Sequence, residues 1–249
     1  MIEEARNRYD KLFGNKEIFK DDPDMNEIFG NFAFDEVLKN TNLTDRQQML
    51  VILASHLAIG SVKGYKLHLA GALNLKVSPL ELRELLYQVV PYIGMAKAYD
   101  FFEATNLVFK EKGIEVPSAS TKTVTRENRF DKGLAVQESY FGKDNISAMR
   151  ENAPRGQKHF QDFLSDYCFG DFYTREGLSD SDRELITFSL IASLGGCENQ
   201  LRGHTAGNLS VGNDKDVLIG AVTVLCPYIG FPRTLNALNI INEVCKGGK

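Results

Sequence analysis

Three residues in the second half of the chain, Glu184, Cys197 and His204, have types and spacing that suit proton-transfer or thiol chemistry. Cys197 and His204 are seven positions apart. On a helix this is close to two turns, so both would share one face with their Cα atoms about 10 Å apart, and a third group or a ligand would have to fill the gap. Glu184 belongs to the preceding predicted helix and can reach this face from an antiparallel neighbour. The three would supply a thiol, an imidazole and a carboxylate that orients it.

The stretch that carries two of these residues occurs earlier in the chain in a modified form. A shift of 136 positions lays residues 60–94 on residues 196–230 without a gap, and ten of the 35 aligned positions are identical. Unrelated segments would share about two, so the chain contains an internal repeat. The degenerate copies of Glu184, Cys197 and His204 are, in that order, Gln48, Ser61 and His68. We therefore expect a working site in the second repeat and a degenerate site in the first.

Each candidate residue also has a purely structural interpretation. Cysteine is among the most buried residue types, a histidine such as His204 can be a hydrogen-bonded core residue, and Glu184 can be an ordinary carboxylate at a helix start. Cys197, however, aligns with a polar serine, and at the start of a predicted helix the dipole favours a thiolate. The remaining cysteines align with apolar residues of the first repeat, which favours packing roles for Cys168, Cys226 and Cys245.

Helices must position these residues, because apolar side chains recur at steps of three and four along most of the chain. No alternating stretch bounded by turn residues is present, so the sequence predicts an all-α fold built as a tandem repeat. Each repeat begins with a short helical pair. Longer helices are predicted at 43–59, 61–75, 78–90 and 92–112, and then at 179–194, 197–210, 213–226 and 231–245. The polar segment 114–125 lacks periodicity and is the predicted linker between a first repeat at 1–113 and a second at 126–249.

Composition narrows the function classes. The chain of 249 residues has a net charge of −4, which offers no basic face for nucleic acid or an anionic membrane. The N-terminus lacks the apolar core of a signal peptide, and the longest apolar runs are too short or too interrupted to span a bilayer. Four cysteines without a CxxC motif indicate a cytoplasmic protein with free thiols. We expect no metal, because the spacing of Cys197 and His204 matches no usual zinc pair, and no cofactor, because nucleotide-binding fingerprints are absent.

Several motifs together resemble the carboxymuconolactone decarboxylase family, which belongs to the same superfamily as alkylhydroperoxidase D. The motifs are those at 182–187, 192–198, 200–204, 227–232 and 235–238. The resemblance is specific across about 175–245 and weaker across 40–110, as in fused two-repeat members. It implies helical repeats arranged six around a threefold axis, and hence a homotrimer of fused chains.

The resemblance leaves the reaction open. Alkylhydroperoxidases carry a CxxC motif, of which Cys197 matches the first cysteine, while Gln200 stands at the position of the second. A self-contained dithiol cycle is thereby excluded, but a one-cysteine peroxidase that uses an outside thiol is not. A decarboxylase instead needs an acid to reprotonate carbon, for which His204 is the candidate, and a cation that anchors the substrate carboxylate, for which Arg202 and Arg233 are candidates.

We favour decarboxylation or a related proton transfer on a small carboxylated lactone or enolisable acid. The alternatives are a thiol peroxidase centred on Cys197 and a binding protein that keeps only the fold. The predicted helices 78–90 and 213–226 are apolar on more than one face. A repeat of about 120 residues has too little interior to cover them, so we expect the other repeat to cover part of this apolar area and partner chains to cover the remainder.

Overall fold

The structure is a computed structural model that describes residues 1–14, 16 and 18–246. No strand occurs within these residues, so the prediction of an all-α fold is confirmed. The first half contains α1 (Glu3–Phe13), α2 (Pro23–Asn31), a π-helix (Phe32–Glu36), a 3-10 turn (Leu38–Asn40), α3 (Asp45–Ile59), α4 (Val62–Asn74), α5 (Pro79–Ile93) and α6 (Met95–Glu111). The second contains α7 (Arg129–Phe141), α8 (Lys143–Glu151), α9 (Lys158–Phe163), a π-helix (Leu164–Tyr173), α10 (Asp180–Leu194), α11 (Glu198–Ser210) and α12 (Lys215–Lys246).

Local side chains fix the starts of the long helices. Thr44 and Ser78 each form a capping box with the residue three positions later, and the Ser179 hydroxyl accepts from the Asp182 amide. These contacts satisfy amide groups that have no partner in the first helical turn. The predicted helix starts therefore lie within two residues of the observed ones wherever a cap is present.

The two repeats break their last helices at the same place. Gly94 separates α5 from α6, and Gly230, at the equivalent position, bends α12, with φ of 75° and 76° respectively. Only glycine adopts such a conformation readily. The predicted breaks are residue 91 in the first repeat and residues 227–230 in the second, so both predicted helices end just before a proline. Pro91 and Pro227 instead lie inside the helices, close to the break.

The central helices α3 and α10 pack against each other and join the repeats. A single cluster of buried apolar residues contains side chains from both halves. Arg46 on α3 donates two hydrogen bonds of 2.8 Å to Asp182 on α10. The apolar faces of α5 and of the first part of α12, expected to need partner chains, are mostly buried in this shared core. The other repeat thus covers most of these faces, and the expectation that partner chains cover the remainder stays a prediction.

The chain between α6 and α7 is not helical, as predicted for 114–125, but it is anchored to both repeats. The Thr121 hydroxyl donates to Glu84 on α5 at 2.7 Å, and Arg175 donates to the same carboxylate at 2.9 Å. The Glu176 amide bonds the Thr121 carbonyl. The segment is therefore part of the contact between the two repeats.

Among the described residues, one helix, Lys215–Lys246, has the length and hydropathy of a membrane span. Half of its most apolar stretch is buried within the protein, and Gly230 interrupts its helical geometry. These features are those of a core helix.

Candidate active site

The centre of the second repeat contains a buried carboxylate–imidazole pair. Glu184 on α10 is fully buried, and His204 on α11 is 9% exposed. The Nδ1 atom of His204 lies 2.9 Å and 3.2 Å from the two carboxylate oxygens of Glu184. A carboxylate accepts hydrogen bonds, so the imidazole places its Nδ1 hydrogen on this side. The Nε2 atom is left for chemistry, and Glu184 fixes the orientation of the ring.

Two tyrosines complete a closed ring of contacts around this pair. The hydroxyl of Tyr92 lies 3.4 Å from Nε2 of His204 and 2.6 Å from the hydroxyl of Tyr173. Tyr173 in turn donates to Glu184 at 3.1 Å. Tyr92 lies at the end of α5, in the first repeat, so the second-repeat site is built with a residue of the other repeat.

Burial keeps these hydroxyl groups in their neutral form. The pKa values of Tyr92 and Tyr173 are both raised well above the usual range, mainly because neither phenolate would be solvated there. Cys168 lies beside them, and burial raises the pKa of its thiol to about 12. At neutral pH the site therefore presents hydrogen-bond donors and a thiol rather than phenolates and a thiolate.

Glu184 on α10 can lie close to α11 because residue 207 of α11 is a glycine. A Cβ atom at Gly207 on α11 would lie 2.5 Å from a carboxylate oxygen of Glu184 and 2.9 Å from the Phe141 ring. Phe141 itself packs edge-on against the imidazole of His204, with ring centroids 5.4 Å apart. Gly207 thus makes room for both groups that hold the imidazole.

His204 lines a cavity of about 740 Å³. The walls come from α7 to α11 and from the end of α5, and they are largely aromatic and aliphatic: Tyr92, Phe141, Ile146, Met149, Phe160, Phe163, Leu164, Tyr167, Phe169, Ile191 and Leu194. The polar wall residues besides His204 are mainly amides, namely Gln137, Asn145, Asn199 and Gln200, together with Cys168 and Cys197. None of the described lysines and arginines lines it. The size suits a small organic molecule.

Cys197 shares this cavity with His204, but not for the reason expected. It is the residue before α11, with non-helical φ and ψ of −124° and 39°, so the argument from a shared helix face does not apply to it. It is half-buried and borders the cavity from the corner that follows α10. The structure thus brings Glu184 and His204 into contact and places Cys197 at the wall of the same cavity.

The two predicted cationic anchors lie elsewhere. Arg202 is exposed and donates to Glu243 at 2.9 Å. Arg233 borders a small crevice behind Cys197, next to Gly195, and does not line the large cavity. Within a single chain, neither arginine lines the cavity of His204. Arg202 is held by a surface carboxylate, and Arg233 follows the bend of α12.

The degenerate site of the first repeat differs in each of its polar groups. Gln48, the counterpart of Glu184, donates to the Leu43 carbonyl and accepts from Arg8, so it does not contact His68. His68 instead lies 3.0 Å from a second imidazole, that of His56, whose counterpart in the second repeat is an alanine. Burial lowers the pKa of His68 to about 4 and that of His56 to about 2. Both are neutral at pH 7, which makes them poor proton donors.

Comparison with known proteins identifies the two repeats. The profile of the carboxymuconolactone decarboxylase family matches residues 23–107 and again residues 158–243. The chain therefore belongs to the carboxymuconolactone decarboxylase family, as a member with two tandem repeats.

Two curated relatives match about half of the chain each. The 4-carboxymuconolactone decarboxylase of Acinetobacter baylyi is 30% identical over 120 residues, which is 48% of this chain and 89% of the relative. The nitrosuccinic acid decarboxylase of Metarhizium robertsii is 24% identical over 136 residues, 53% of this chain and 94% of the relative. Each relative aligns along most of its length, as expected when this chain holds two copies of their fold.

Sequence reasoning missed Tyr92, Tyr173 and Phe141 as parts of the site. Tyr92 belongs to the Pro-Tyr-Ile-Gly motif that ends both repeats, and the repeated motif was the signal that could have found it. Phe141 belongs to a Phe-Gly pair that also occurs at Phe13 in the first repeat, and this recurrence was its signal. Tyr173 has no comparable signal. Within the described part of the chain, no group of three or more histidine, cysteine, aspartate or glutamate residues is placed to hold a metal ion.

Proposed function

We propose that this protein is a carboxy-lyase that removes CO2 from a small carboxylated lactone or enolisable acid in the second-repeat cavity. The observation that carries the proposal is the contact of 2.9 Å between Glu184 and His204 beside an apolar cavity. Membership of the family and the similarity to two proteins named as decarboxylases support the same reaction class.

In the proposed reaction the leaving carboxylate is held against the apolar walls. Its localised charge is poorly solvated there, whereas breaking the carbon–carbon bond moves the electron pair into a delocalised enolate and releases neutral CO2. The neutral hydroxyl of Tyr92 is the proposed donor to the enolate oxygen. The imidazolium form of His204, with a hydrogen on each ring nitrogen, then gives its Nε2 proton to the carbon that lost CO2. The neutral imidazole that is left keeps its Nδ1 hydrogen toward Glu184 and takes a new proton at Nε2 from solvent.

The remaining polar groups of the substrate need a different anchor from the two predicted arginines. Asn199 and Gln200 line the cavity in the first turn of α11, where backbone amides have no helical partner. A helix start of this kind favours an anionic group. We therefore assign the second polar group of the substrate, a lactone or carboxylate oxygen, to the start of α11. Arg202 and Arg233 remain proposed anchors only through a neighbouring chain.

The proposal is tested by turnover in deuterated water. The purified protein is incubated with a panel of small carboxylated lactones and β-keto or nitro acids, while CO2 release and product mass are recorded. One solvent deuterium should enter each product molecule at the decarboxylated carbon. His204→Gln should abolish CO2 release, whereas His68→Gln, its counterpart in the first repeat, should retain it. Equal turnover by the two folded variants would reject His204 as the acid.

A second candidate activity is reduction of hydroperoxides at Cys197. The favourable observation is that this thiol is half-buried at the cavity wall, where a peroxide can reach it. Attack of its thiolate on a hydroperoxide would give an alcohol and a sulfenic acid, which an outside thiol must then reduce. Cys168, the other cavity cysteine, is a poor substitute because burial raises its pKa.

A further inference from the structure

A second large cavity, of about 690 Å³, lies in the first repeat. It is the internal counterpart of the second-repeat cavity, because lining residues of the two cavities occupy equivalent positions in the repeats. At the shift of 136 positions Ser61 is equivalent to Cys197, Lys63 to Asn199, Gly64 to Gln200 and Leu67 to Gly203. Phe13 and Phe141, which also line the two cavities, each end a helix, α1 and α7, directly before a glycine. The fold therefore keeps a pocket in the repeat that has lost its carboxylate–imidazole pair.

The two cavities differ in charge. Among the described residues, four lysines line the first-repeat cavity, namely Lys16, Lys63, Lys66 and Lys112, together with one carboxylate, that of Glu111. The described wall of the second-repeat cavity contains neither basic nor acidic side chains apart from His204. This positive lining stands out in a chain whose net charge is −4. It attracts anions at short and long range.

The lysines at the start of α4 have no carboxylate partner in the part of the chain that the structure describes. Lys63 and Lys66 take part in no ion pair within the described residues, whereas Lys112 donates to the amide oxygen of Asn74 at 2.6 Å. Ser61, the residue before α4, makes no capping hydrogen bond. The first turn of α4 thus presents the Ser61 hydroxyl, backbone amides and the ammonium groups of Lys63 and Lys66 to the same cavity.

A buried ring nitrogen without a partner lies beside the same turn of α4. His56 is 5% exposed, and its Nδ1 atom has no hydrogen-bond partner. A Cβ atom at Gly64, which lines the cavity, would be 2.8 Å from this nitrogen and 2.8 Å from the Ser61 hydroxyl. The missing side chain at Gly64 thus lets the imidazole pack directly against the turn that carries the cavity lysines. An unpaired buried polar group is costly unless something satisfies it.

We propose that the first-repeat cavity is a binding site for a small organic dianion with an apolar body, and that it does not turn this ligand over. Phe13, Phe19 and Val108 supply the apolar wall, and the lysines bind the charged ends. His68, the counterpart of the proposed acid His204, does not line the cavity among the described residues, so the ligand meets no equivalent of that imidazole. The site is independent of the reaction in the second repeat.

The test is calorimetric titration of the full-length protein with phthalate, adipate and phenyl phosphate at low ionic strength. The first two probes carry carboxylates and the third carries a phosphate, so they separate the two sources of charge. At least one should bind, and Lys63→Gln/Lys66→Gln should weaken its affinity tenfold or more. The control Lys132→Gln/Lys143→Gln removes the same charge from exposed positions on α7 and α8 and should bind as the native protein does.

Two further outcomes decide the location. His204→Gln should leave the affinity unchanged, because that residue belongs to the other cavity. If none of the three probes binds, or if the lysine variant and its control bind equally well, the proposal is wrong. Loss of binding in His204→Gln but not in the lysine variant would assign the ligand to the second repeat and would also overturn it.

Discussion

Tyr92 of the first repeat lies 3.4 Å from His204 of the second, and Tyr228 of the second repeat lies 3.2 Å from His68 of the first. Each repeat thus supplies the equivalent tyrosine to the histidine of the other repeat. Each imidazole depends on the partner repeat for its contact at Nε2. This reciprocity explains why the repeats share one core and why the second-repeat site cannot be complete without the first repeat.

This arrangement predicts that removing the Tyr92 hydroxyl lowers kcat much more than removing the Tyr228 hydroxyl. Tyr92→Phe should lower kcat by about tenfold to a hundredfold and change KM little, because a donor to a developing oxyanion acts mainly in the transition state. Tyr228→Phe is the matched control and should leave kcat within about twofold, since its contact is with the degenerate site. Steady-state kinetics on the same substrate measures both. Equal losses in kcat would indicate a shared structural effect.

Replacement of the orienting carboxylate tests the second contact of His204. Glu184→Gln keeps the size of the side chain but removes the charge that holds the Nδ1 hydrogen. Turnover should fall by about 10² to 10⁴, the range of general acid–base contributions. Circular dichroism and thermal unfolding establish whether the variant is folded. Near-native turnover in a folded Glu184→Gln protein would exclude an orienting role.

Gly207 gives a steric test of the same pair. Gly207→Ala should displace Glu184 or Phe141, with a loss of about 1–3 kcal/mol in the free energy of unfolding and a fall in activity. Gly203→Ala on the same helix is the control, because a Cβ atom there meets nothing within 4 Å. That variant should gain about 0.5–1 kcal/mol from helix propensity. Urea unfolding of both variants decides the matter, and a stable Gly207→Ala protein would contradict the observed crowding.

The paired imidazoles of the first repeat predict a loss of stability in acid. Burial lowers the pKa of His56 to about 2 and that of His68 to about 4, below the unfolded value of about 6.5. The unfolded chain therefore binds more protons between about pH 4 and 6.5, and stability falls as the pH decreases through this window. The expected slope is about 1.4 kcal/mol per pH unit for each histidine, and it vanishes above about pH 6.5.

Urea unfolding between pH 4.5 and 7.5 measures this slope. His68→Gln should flatten the curve relative to the native protein, although the variant is also less stable at pH 7.5. The control is His159→Gln, which changes an exposed histidine of α9 and should leave the slope as it is. If His68→Gln and the native protein lose stability in parallel over this window, the buried pair does not cause the acid sensitivity.

The sequence predicted the helices better than it predicted the site. Caps such as Thr44 and stops such as Gly60 act on neighbouring residues, so their effect can be read locally. The repeat offset also singled out His204 with Glu184. Tyr92 was missed because its contact joins residues 112 positions apart across two repeats, and such packing is not encoded in local spacing. His56 was missed for a similar reason, since its partner is defined by the fold.

Cys197→Ser separates the two candidate activities. If the protein acts only as a carboxy-lyase, this variant should keep its turnover within about threefold, because the proposed proton transfer uses His204. If it reduces hydroperoxides, mass spectrometry after exposure to a hydroperoxide should show selective oxidation at Cys197, and the variant should lose the activity. Equal oxidation of all four cysteines would count against the peroxidase.

The last prediction concerns assembly and follows from apolar residues that a single chain leaves exposed. Met95 and Tyr99 at the start of α6 are 55% and 61% exposed, and their counterparts after the bend of α12, Phe231 and Leu235, are 62% and 54% exposed. The same surface thus occurs twice per chain at equivalent positions, which suits a closed ring of chains. We expect a homotrimer, with a mass by light scattering of about three times 27.8 kDa.

A matched pair of variants tests whether this surface forms the interface. Tyr99→Glu/Leu235→Glu places a charge on both copies of the surface and should shift the mass toward 27.8 kDa, because a buried unpaired carboxylate is costly. Ala135→Glu, at an exposed position of α7, adds a carboxylate elsewhere and should leave the mass unchanged. A native protein that stays monomeric at micromolar concentration would refute the trimer. It would also remove the only route by which Arg202 or Arg233 can reach a substrate in the second-repeat cavity.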